Sequence, residues 1–180
     1  KIPILEDNCE SVGAKLDGQF LGTLGDVGVF SFDFGKNITT GEGGAILTNN
    51  KKYFQYSKEY HDHGHQLNPK FPRGLDTVSI FGFNYRMTEL QAALGISQMD
   101  RLDGFIAKRH VLRARYDELL SDLSIITPHQ SQFAHSSLHL YSIQLEINKI
   151  GKARKEVFDE LRSNNIGVNV HYIPIHSHPF

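Results

Sequence analysis

Residues 27–49 read VGVFSFDFGKNITTGEGGAILTN, and two apolar runs in this stretch flank a polar segment. The first run, Val27 to Phe32, and the second, Gly44 to Thr48, each predict a β-strand. Neither run contains proline, which suits central positions in a sheet. The segment between them, Asp33 to Gly43, predicts a loop that presents Lys36.

A third apolar run lies upstream, where Ile2 to Leu5 is followed directly by Glu6 and Asp7. It predicts a buried strand with carboxylates at its C-terminal end. Ligands collect at the carboxyl edge of α/β sheets, which makes Asp7 a candidate binding residue. Capping of the next segment is the ordinary alternative. Glu10 follows three residues later and shares the face of Asp7 if the chain turns helically there.

The rest of the chain predicts helices first and then a strand, a helix and a strand. Thr88 and Gln91 form a capping-box pattern, and His61 to Gly82 predicts a long surface loop. The other patterns predict helices at 50–60, 88–99, 105–120 and 152–163 and strands at 139–147 and 168–173, with Gly104 as a break and Asn148 as a helix cap. We therefore expect an α/β fold in two units, 1–104 and 105–180.

Composition and charge exclude several classes of protein. Of 180 residues, 39% are hydrophobic, and 19 basic side chains face 20 acidic ones for a net charge of −1. This is the composition of a globular protein, and it offers no electrostatic attraction for nucleic acid or an anionic membrane. The single cysteine, Cys9, cannot form an internal disulfide. The chain opens without Met and closes on HYIPIHSHPF, so we expect it to be part of a longer one.

On spacing alone, Lys36 has two interpretations. A lysine desolvated in this loop would offer a neutral, nucleophilic amine, but most loop lysines are simply solvated. The glycines and hydroxyl side chains around Lys36 also allow two interpretations. They either donate hydrogen bonds to a phosphate or form a tight turn between strands. This set contains no Walker or G-x-G-x-x-G pattern and consists of Ser31, Thr39, Thr40, Gly41, Gly43 and Gly44.

Histidines form the last candidate site. The sequence HDHGH occupies residues 61–65, and His171, His176 and His178 lie close to the other end. Metal binding is the sharper interpretation. Neither set matches a zinc signature such as H-E-x-x-H, so loop polarity is favoured and no metal is expected.

Four segments together resemble the DegT/StrS family of PLP-dependent sugar aminotransferases, which have the type I aminotransferase fold. They are LEDNCESVGA, GDVGVFSFDFGKNITTGEGGAILTN, FGFNYRMTELQAALGISQMDRLD and VNVHYIPIH. The resemblance covers essentially the whole chain in order, and the second and third segments are long and specific. It implies that residues 1–104 are the C-terminal part of the large PLP-binding domain. Residues 105–180 would be a connecting helix and part of the smaller C-terminal α+β domain.

The resemblance also implies roles for individual residues. Lys36 matches the lysine that forms the Schiff base with pyridoxal 5′-phosphate (PLP), and Asp7 matches the aspartate that binds the pyridine nitrogen. Ser31 matches the serine that holds the phosphate, and Asn84 the asparagine that reaches a phosphate across the dimer interface. Glu10 stands where the family often has Gln or His near the ring hydroxyl, and a carboxylate is an acceptor only.

The implied reaction moves an amino group, usually from glutamate, to a keto-sugar that is most often nucleotide-linked, in cell-surface polysaccharide or amino-sugar biosynthesis. Two alternatives stay open: an aminotransferase for a nucleotide-free keto-sugar acid, and a non-catalytic PLP-binding regulator. A related subgroup of sugar 3-dehydratases replaces the lysine with histidine, so Lys36 argues against that activity. Lys70 and Arg73 either meet an anionic group of the substrate or are ordinary loop charges.

The resemblance further implies a cytoplasmic homodimer with shared active sites and no nucleic-acid or membrane partner. Members of the family have longer chains, whose N-terminal part supplies a further phosphate-binding turn and an aromatic ring stacked on PLP. We therefore expect residues 1–180 alone not to bind PLP stably.

Overall fold

The computed structural model describes residues 2–66, 69–72 and 74–179. Its strands are β1 (Leu5–Asp7), β2 (Lys15–Leu16), β3 (Gln19–Phe20), β4 (Val27–Ser31), β5 (Gly44–Leu47), β6 (Ile125–Ile126), β7 (Ala134–His135) and β8 (Gln144–Leu145). Its helices are α1 (Lys51–Tyr60), α2 (Glu89–Met99), α3 (Leu102–Leu119), α4 (Ile147–Ile150) and α5 (Arg154–Ser163), with a 3₁₀ turn at Ile175–Ser177. The mixed α/β class predicted from the sequence is confirmed.

The principal sheet has the strand order β1-β4-β5. β1 runs parallel to β4 with Asp7 opposite Val29, and β5 runs antiparallel to β4 with Gly44 opposite Ser31. Since parallel strands end at the same edge of a sheet, Asp7 and Ser31 both lie at its carboxyl edge.

A turn before β4 is fastened to β1 by one carboxylate. Glu6 accepts N–H groups from Gly22 (2.8 Å), Leu24 (2.8 Å) and Gly25 (2.5 Å). Gly22 has a φ of +89°, and a Cβ on Gly28 would meet the Gly22 backbone. Glycine is therefore required where the turn packs on β4.

Side chains fix the starts of two helices. The Asn50 Oδ1 accepts the Lys52 N–H (2.9 Å) at the start of α1. In α2, Thr88 and Gln91 form the predicted capping box: the Gln91 N–H donates to the Thr88 hydroxyl (3.3 Å), and the Thr88 N–H donates to Gln91 Oε1 (2.9 Å). Both helix starts agree with the sequence prediction.

The chain forms two compact units, Lys1–His110 with Gln130–His139, and Val111–His129 with Leu140–Phe180. In the first, Ile38 packs with Leu102 and Ile106 of α3. Ile38 belongs to the loop that presents Lys36, residues 33–43, which we call the lysine loop. In the second, β6 pairs with β8, and the Tyr141 hydroxyl donates to Asp117 (2.7 Å). Partial burial, together with that hydrogen bond, raises the pKa of Tyr141 to about 12. The division at residue 104 stays a prediction.

Strand boundaries were predicted less well than strand existence. The first strand is Leu5–Asp7 and not Ile2 to Leu5, so the acidic pair lies inside it. The predicted strand 139–147 is reduced to Gln144–Leu145, and residues 168–173 form no strand, although all are described. A strand needs a hydrogen-bonding neighbour, which β-branched composition alone does not supply.

Two helix predictions were also wrong in detail. Gly104 does not interrupt the helical structure, because α3 continues through it. Asn148 lies inside α4 and does not cap α5; there Glu156 Oε2 accepts the Ala153 N–H (2.6 Å) instead. The loop after α1 contains only the isolated bridges Asp62↔Asn84 and His65↔Val78 among its described residues. Within the described part of the chain, no helix is long and apolar enough to cross a membrane.

Candidate active site

Asp7 occupies the carboxyl end of β1 with an exposed side chain. Cys9 lowers its pKa, first through the thiol and then through a backbone N–H that donates to Asp7 Oδ1 (3.1 Å). The positive charge of Lys36 lowers it further. Asp7 is thus held as an anion that can accept a hydrogen bond from a ligand.

The turn after β4 fixes the backbone of Lys36. The Ser31 hydroxyl accepts the Asp33 N–H (3.3 Å), and the Asp33 carboxylate accepts the Gly35 N–H (3.1 Å). The Asp33 carbonyl then accepts the Lys36 N–H (3.0 Å). Because these bonds begin at the end of β4, they tie Lys36 to the same sheet edge as Asp7.

The Lys36 amine points to a carboxylate. Its Nζ donates to Glu10 Oε1 (3.3 Å), and the lysine side chain is 19% exposed while that of Glu10 is 42% exposed. The same Glu10 oxygen lies 3.6 Å from His139 Nε2. Glu10 thus bridges Lys36 and a histidine from a distant part of the chain.

A buried amide holds that histidine from its other side. His139 Nδ1 lies 3.2 Å from Asn37 Oδ1, and Asn37 Nδ2 donates to the Ser137 carbonyl (2.9 Å). The Ser137 hydroxyl donates to the Glu10 carbonyl (3.4 Å). We call Lys36, Glu10, His139, Asn37 and Ser137 the lysine cluster.

Sequence reasoning nominated Lys36 and Glu10 but missed the rest of the lysine cluster. Asn37 directly follows the lysine, which is the one local signal available. His139 lies 102 positions after Asn37, and no spacing rule links the two. The structure brings Asp7, Ser31, Lys36 and Glu10 to one end of the principal sheet.

Asn84 lies outside this group, on the loop before α2. Its side chain is exposed, and its Oδ1 accepts the Arg86 N–H (3.4 Å). Arg86 also pairs with the buried carboxylate of Asp62, which orders the loop. The proposed contact of Asn84 across a dimer interface stays a prediction. Of the two loop cations, Lys70 is exposed and Arg73 lies outside the described residues.

The hydroxyls of the lysine loop serve the turn itself. Thr39 donates to the Phe32 carbonyl (3.2 Å) and accepts the Gly41 N–H (2.9 Å), and Thr40 donates to the Glu42 carbonyl (2.7 Å). These bonds favour the tight-turn interpretation for Thr39 and Thr40.

The histidine-rich loop makes local contacts. His61 Nδ1 lies 2.6 Å from the Lys58 carbonyl, and His65 Nδ1 lies 3.0 Å from the Asp76 carboxylate. Within residues 2–66, 69–72 and 74–179, no group of three or more His, Cys, Asp or Glu side chains is arranged to hold a metal ion.

Comparison with known proteins gives a consistent result. The model of the DegT/DnrJ/EryC1/StrS aminotransferase family matches residues 1–180. A UDP-4-amino-4,6-dideoxy-N-acetyl-beta-L-altrosamine transaminase from Campylobacter jejuni is 34% identical over 180 residues, which are 99% of this chain and 47% of that protein. The chain thus spans about half the length of the curated relatives it matches.

Solved structures agree on the fold. The aminotransferase PseC of Helicobacter pylori, involved in the biosynthesis of pseudoaminic acid, has a TM-score of 0.90 and 30% identity over 99% of this chain and 47% of its own. A GDP-4-keto-6-deoxy-D-mannose-3-dehydratase from E. coli with bound hydrated PLP has a TM-score of 0.82 and 28% identity, over 92% of this chain and 45% of its own. The fold alone therefore does not separate amino transfer from dehydration.

Proposed function

The chain belongs to the DegT/DnrJ/EryC1/StrS aminotransferase family, and we propose that the full protein is a PLP-dependent transaminase that transfers an amino group from glutamate to a keto-sugar. One observation carries the proposal: Lys36 and Asp7 are tied to the same edge of the principal sheet, with Ser31 at the end of the neighbouring strand. A nucleophilic amine, an anion and a hydroxyl are three of the groups that such a cofactor needs from its protein.

The chemistry of these side chains fits PLP. Asp7, whose pKa is lowered by Cys9, stays ionised and can keep a pyridine nitrogen protonated. The Ser31 hydroxyl accepts the Asp33 N–H and retains its own proton for a phosphate oxygen. Lys36 supplies the amine that holds the cofactor covalently. When bound, PLP supplies an electron sink next to the substrate amine.

Lys36 then acts as the base of the reaction. With PLP bound, the Lys36 Nζ would take a proton from the substrate carbon and later give it back. Glu10, 3.3 Å from Nζ, accepts a hydrogen bond from the ammonium form and so holds that proton in place. Histidine cannot provide this covalent bond, which is why Lys36 favours transfer over dehydration.

The substrate is a keto-sugar linked to a nucleotide in this proposal. The Campylobacter relative is named for a UDP-sugar, and a GDP-perosamine synthase of Caulobacter vibrioides is 33% identical over 178 residues. In this proposal the reaction belongs to the biosynthesis of surface polysaccharides, such as lipopolysaccharide, and takes place in the cytoplasm. A nucleotide-free keto-sugar acid is the second candidate, because Lys70 in the long loop suits a carboxylate equally well.

The proposed assembly is a homodimer with shared active sites, with neither nucleic acid nor membrane as partner. None of the eleven residues of α2 is buried, although the helix is largely apolar. Leu90 is 85% exposed and Ile96 67% exposed. This exposed apolar face of α2 gains stability when a second surface covers it. Asn84, the proposed contact across the dimer interface, precedes the same helix.

Absorbance of the full-length protein tests the proposal. Wild type is expected to show the visible band of lysine-bound PLP, which glutamate shifts to that of the pyridoxamine form. Lys36→Ala is expected to lose the band after dialysis against an amine. Lys15→Ala, on β2, is the matched control and is expected to keep it. A wild-type protein without the band would refute PLP binding, and a band unchanged by glutamate would favour the regulator.

A further inference from the structure

His139 of the lysine cluster faces an acceptor on each side. Asn37 donates through Nδ2 to the Ser137 carbonyl, which leaves its Oδ1 toward His139 Nδ1 at 3.2 Å. An amide oxygen is only an acceptor, so Nδ1 must carry the proton. In a neutral imidazole the other nitrogen, Nε2, would then present a lone pair to the Glu10 carboxylate.

The imidazolium form removes this conflict. With both nitrogens protonated, Nε2–H faces Glu10 Oε1 at 3.6 Å as an ion pair. The His139 side chain is 12% exposed, so solvent screens this charge only in part. Glu10 then lies between two cations, the imidazolium and the Lys36 ammonium.

Neighbouring ionisable groups do not replace His139 in this role. The Arg109 guanidinium donates to the carbonyls of Leu138 (3.0 Å) and His139 (3.2 Å), which fixes the backbone there. His110 Nε2 lies 2.8 Å from the Ser136 carbonyl, and its ring stacks on that of His135. The Arg109 contacts orient the His139 backbone, and the His110 contacts do not involve Glu10.

We propose that His139 is a positioning residue for Lys36: as an imidazolium it holds the Glu10 carboxylate and competes with the Lys36 ammonium for it. Lys36 is thereby kept from an exclusive ion pair with Glu10, and its amine is more available to an electrophile. The inference rests on the proposed role of Lys36 as the cofactor-binding amine. Its physical content, a three-member charge arrangement, is measurable without the cofactor.

The test uses the full-length protein freed of PLP and labelled with a trace of acetic anhydride. Mass spectrometry gives the acetylation rate of Lys36 relative to Lys155, an internal reference that pairs with Asp159 (2.6 Å) and is 84% exposed. His139→Gln is expected to lower the relative rate of Lys36 about two- to fivefold, because Glu10 then pairs with Lys36 alone. Glu10→Gln is expected to raise it by a similar factor.

The double variant decides between positioning and a merely structural effect. In a Glu10→Gln background, His139→Gln is expected to leave the Lys36 rate unchanged, since the carboxylate that His139 and Lys36 share is gone. His110→Gln is the matched control and is expected to change nothing. Nitrogen-15 shifts of His139 are expected to show both ring nitrogens protonated in wild type.

Three results would overturn the proposal. They are an unchanged Lys36 rate in a folded His139→Gln protein, an effect of His139→Gln that persists without Glu10, and a neutral His139 ring. If the rates behave as expected but added PLP gives no visible band, the proposed function fails and the role of His139 in this charge arrangement stands.

Discussion

Cys9, the single cysteine of the chain, forms hydrogen bonds with the Asp7 carboxylate. Its thiol and its N–H both donate to the carboxylate and lower the pKa of Asp7 below the ordinary 3.8. We predict that Cys9→Ala raises this pKa, whereas Cys9→Ser, which keeps a donor, largely preserves it. A carbon-13 titration of the Asp7 carboxyl group in the cofactor-free protein measures the difference.

The sign of the accompanying stability change follows from linkage. A lowered folded-state pKa means that the ionised carboxylate contributes stability above the ordinary value and loses it as the pH falls through the folded value. Cys9→Ala is therefore expected to lose this contribution at a higher pH than wild type does. Equal titration midpoints in wild type and Cys9→Ala would contradict the role of the thiol.

Glu6 is a second carboxylate on β1, and its role is to hold the turn. Partial burial opposes ionisation, but the N–H groups of Gly25, Gly22 and Leu24 together lower the pKa of Glu6 from 4.5. We predict that Glu6→Gln lowers the free energy of unfolding by about 1 kcal/mol near neutral pH, allowing for solvent screening. The loss is expected to shrink as the pH falls below 4.5 through the folded pKa.

Guanidinium unfolding of the full-length protein at two pH values measures this change. Glu42→Gln is the control, because Glu42 is also a glutamate beside the principal sheet but has an exposed side chain. A loss of the same size in Glu42→Gln would show that charge alone, and not the three N–H groups, is responsible.

Single residues of the site were predictable where the signal is local. The spacing around residues 31–36 and the acidic end of β1 made Lys36, Ser31 and Asp7 candidates, and the family resemblance selected them; their roles stay a prediction. His139 was out of reach, because its contact with Asn37 joins positions 102 apart. Such pairs form only when the whole first unit folds.

At the scale of elements, the starts of α1 and α2 were predicted correctly with their capping residues. The Thr88–Gln91 capping box satisfies N–H groups that α2 cannot satisfy internally. We predict that Thr88→Ala destabilises the protein by about 1 kcal/mol and speeds hydrogen exchange in the first turn of α2. Thr88→Ser is expected to remain near wild type, and an equal loss in both variants would mean that packing, not capping, is responsible.

Strands were less predictable than helices for a physical reason. A helix bonds within its own segment, whereas residues 168–173 need a neighbouring strand and have none in the described part of the chain. At the start of the predicted strand 139–147, the Arg109 guanidinium donates hydrogen bonds to the carbonyls of Leu138 and His139. Leu138 also has a φ of +50°, which interrupts extended backbone.

At the scale of the whole molecule, the exposed apolar surface is large for the core beneath it. Within the described part of the chain, the buried hydrophobic residues are Ala14, Ile38, Leu102, Ile106 and Leu138. By contrast, Phe81, before α2, is 77% exposed, and Leu90, in the first turn of α2, is 85% exposed. A core this small contributes little stability, and surface of this kind is usually covered by other parts of a protein or by a partner.

We therefore predict that residues 1–180 alone do not bind PLP stably, whereas the full-length protein does. The segment supplies Lys36, Asp7 and Ser31, but it spans about half the length of its relatives. Gel filtration and visible absorbance of both proteins, each incubated with PLP and desalted, measure the difference. The short chain is expected to aggregate or to lose the cofactor on desalting, because its apolar faces stay uncovered and fewer groups hold the cofactor. A monodisperse, dimeric, yellow preparation of residues 1–180 would refute this and would show that the sheet edge around Lys36 suffices as a binding site.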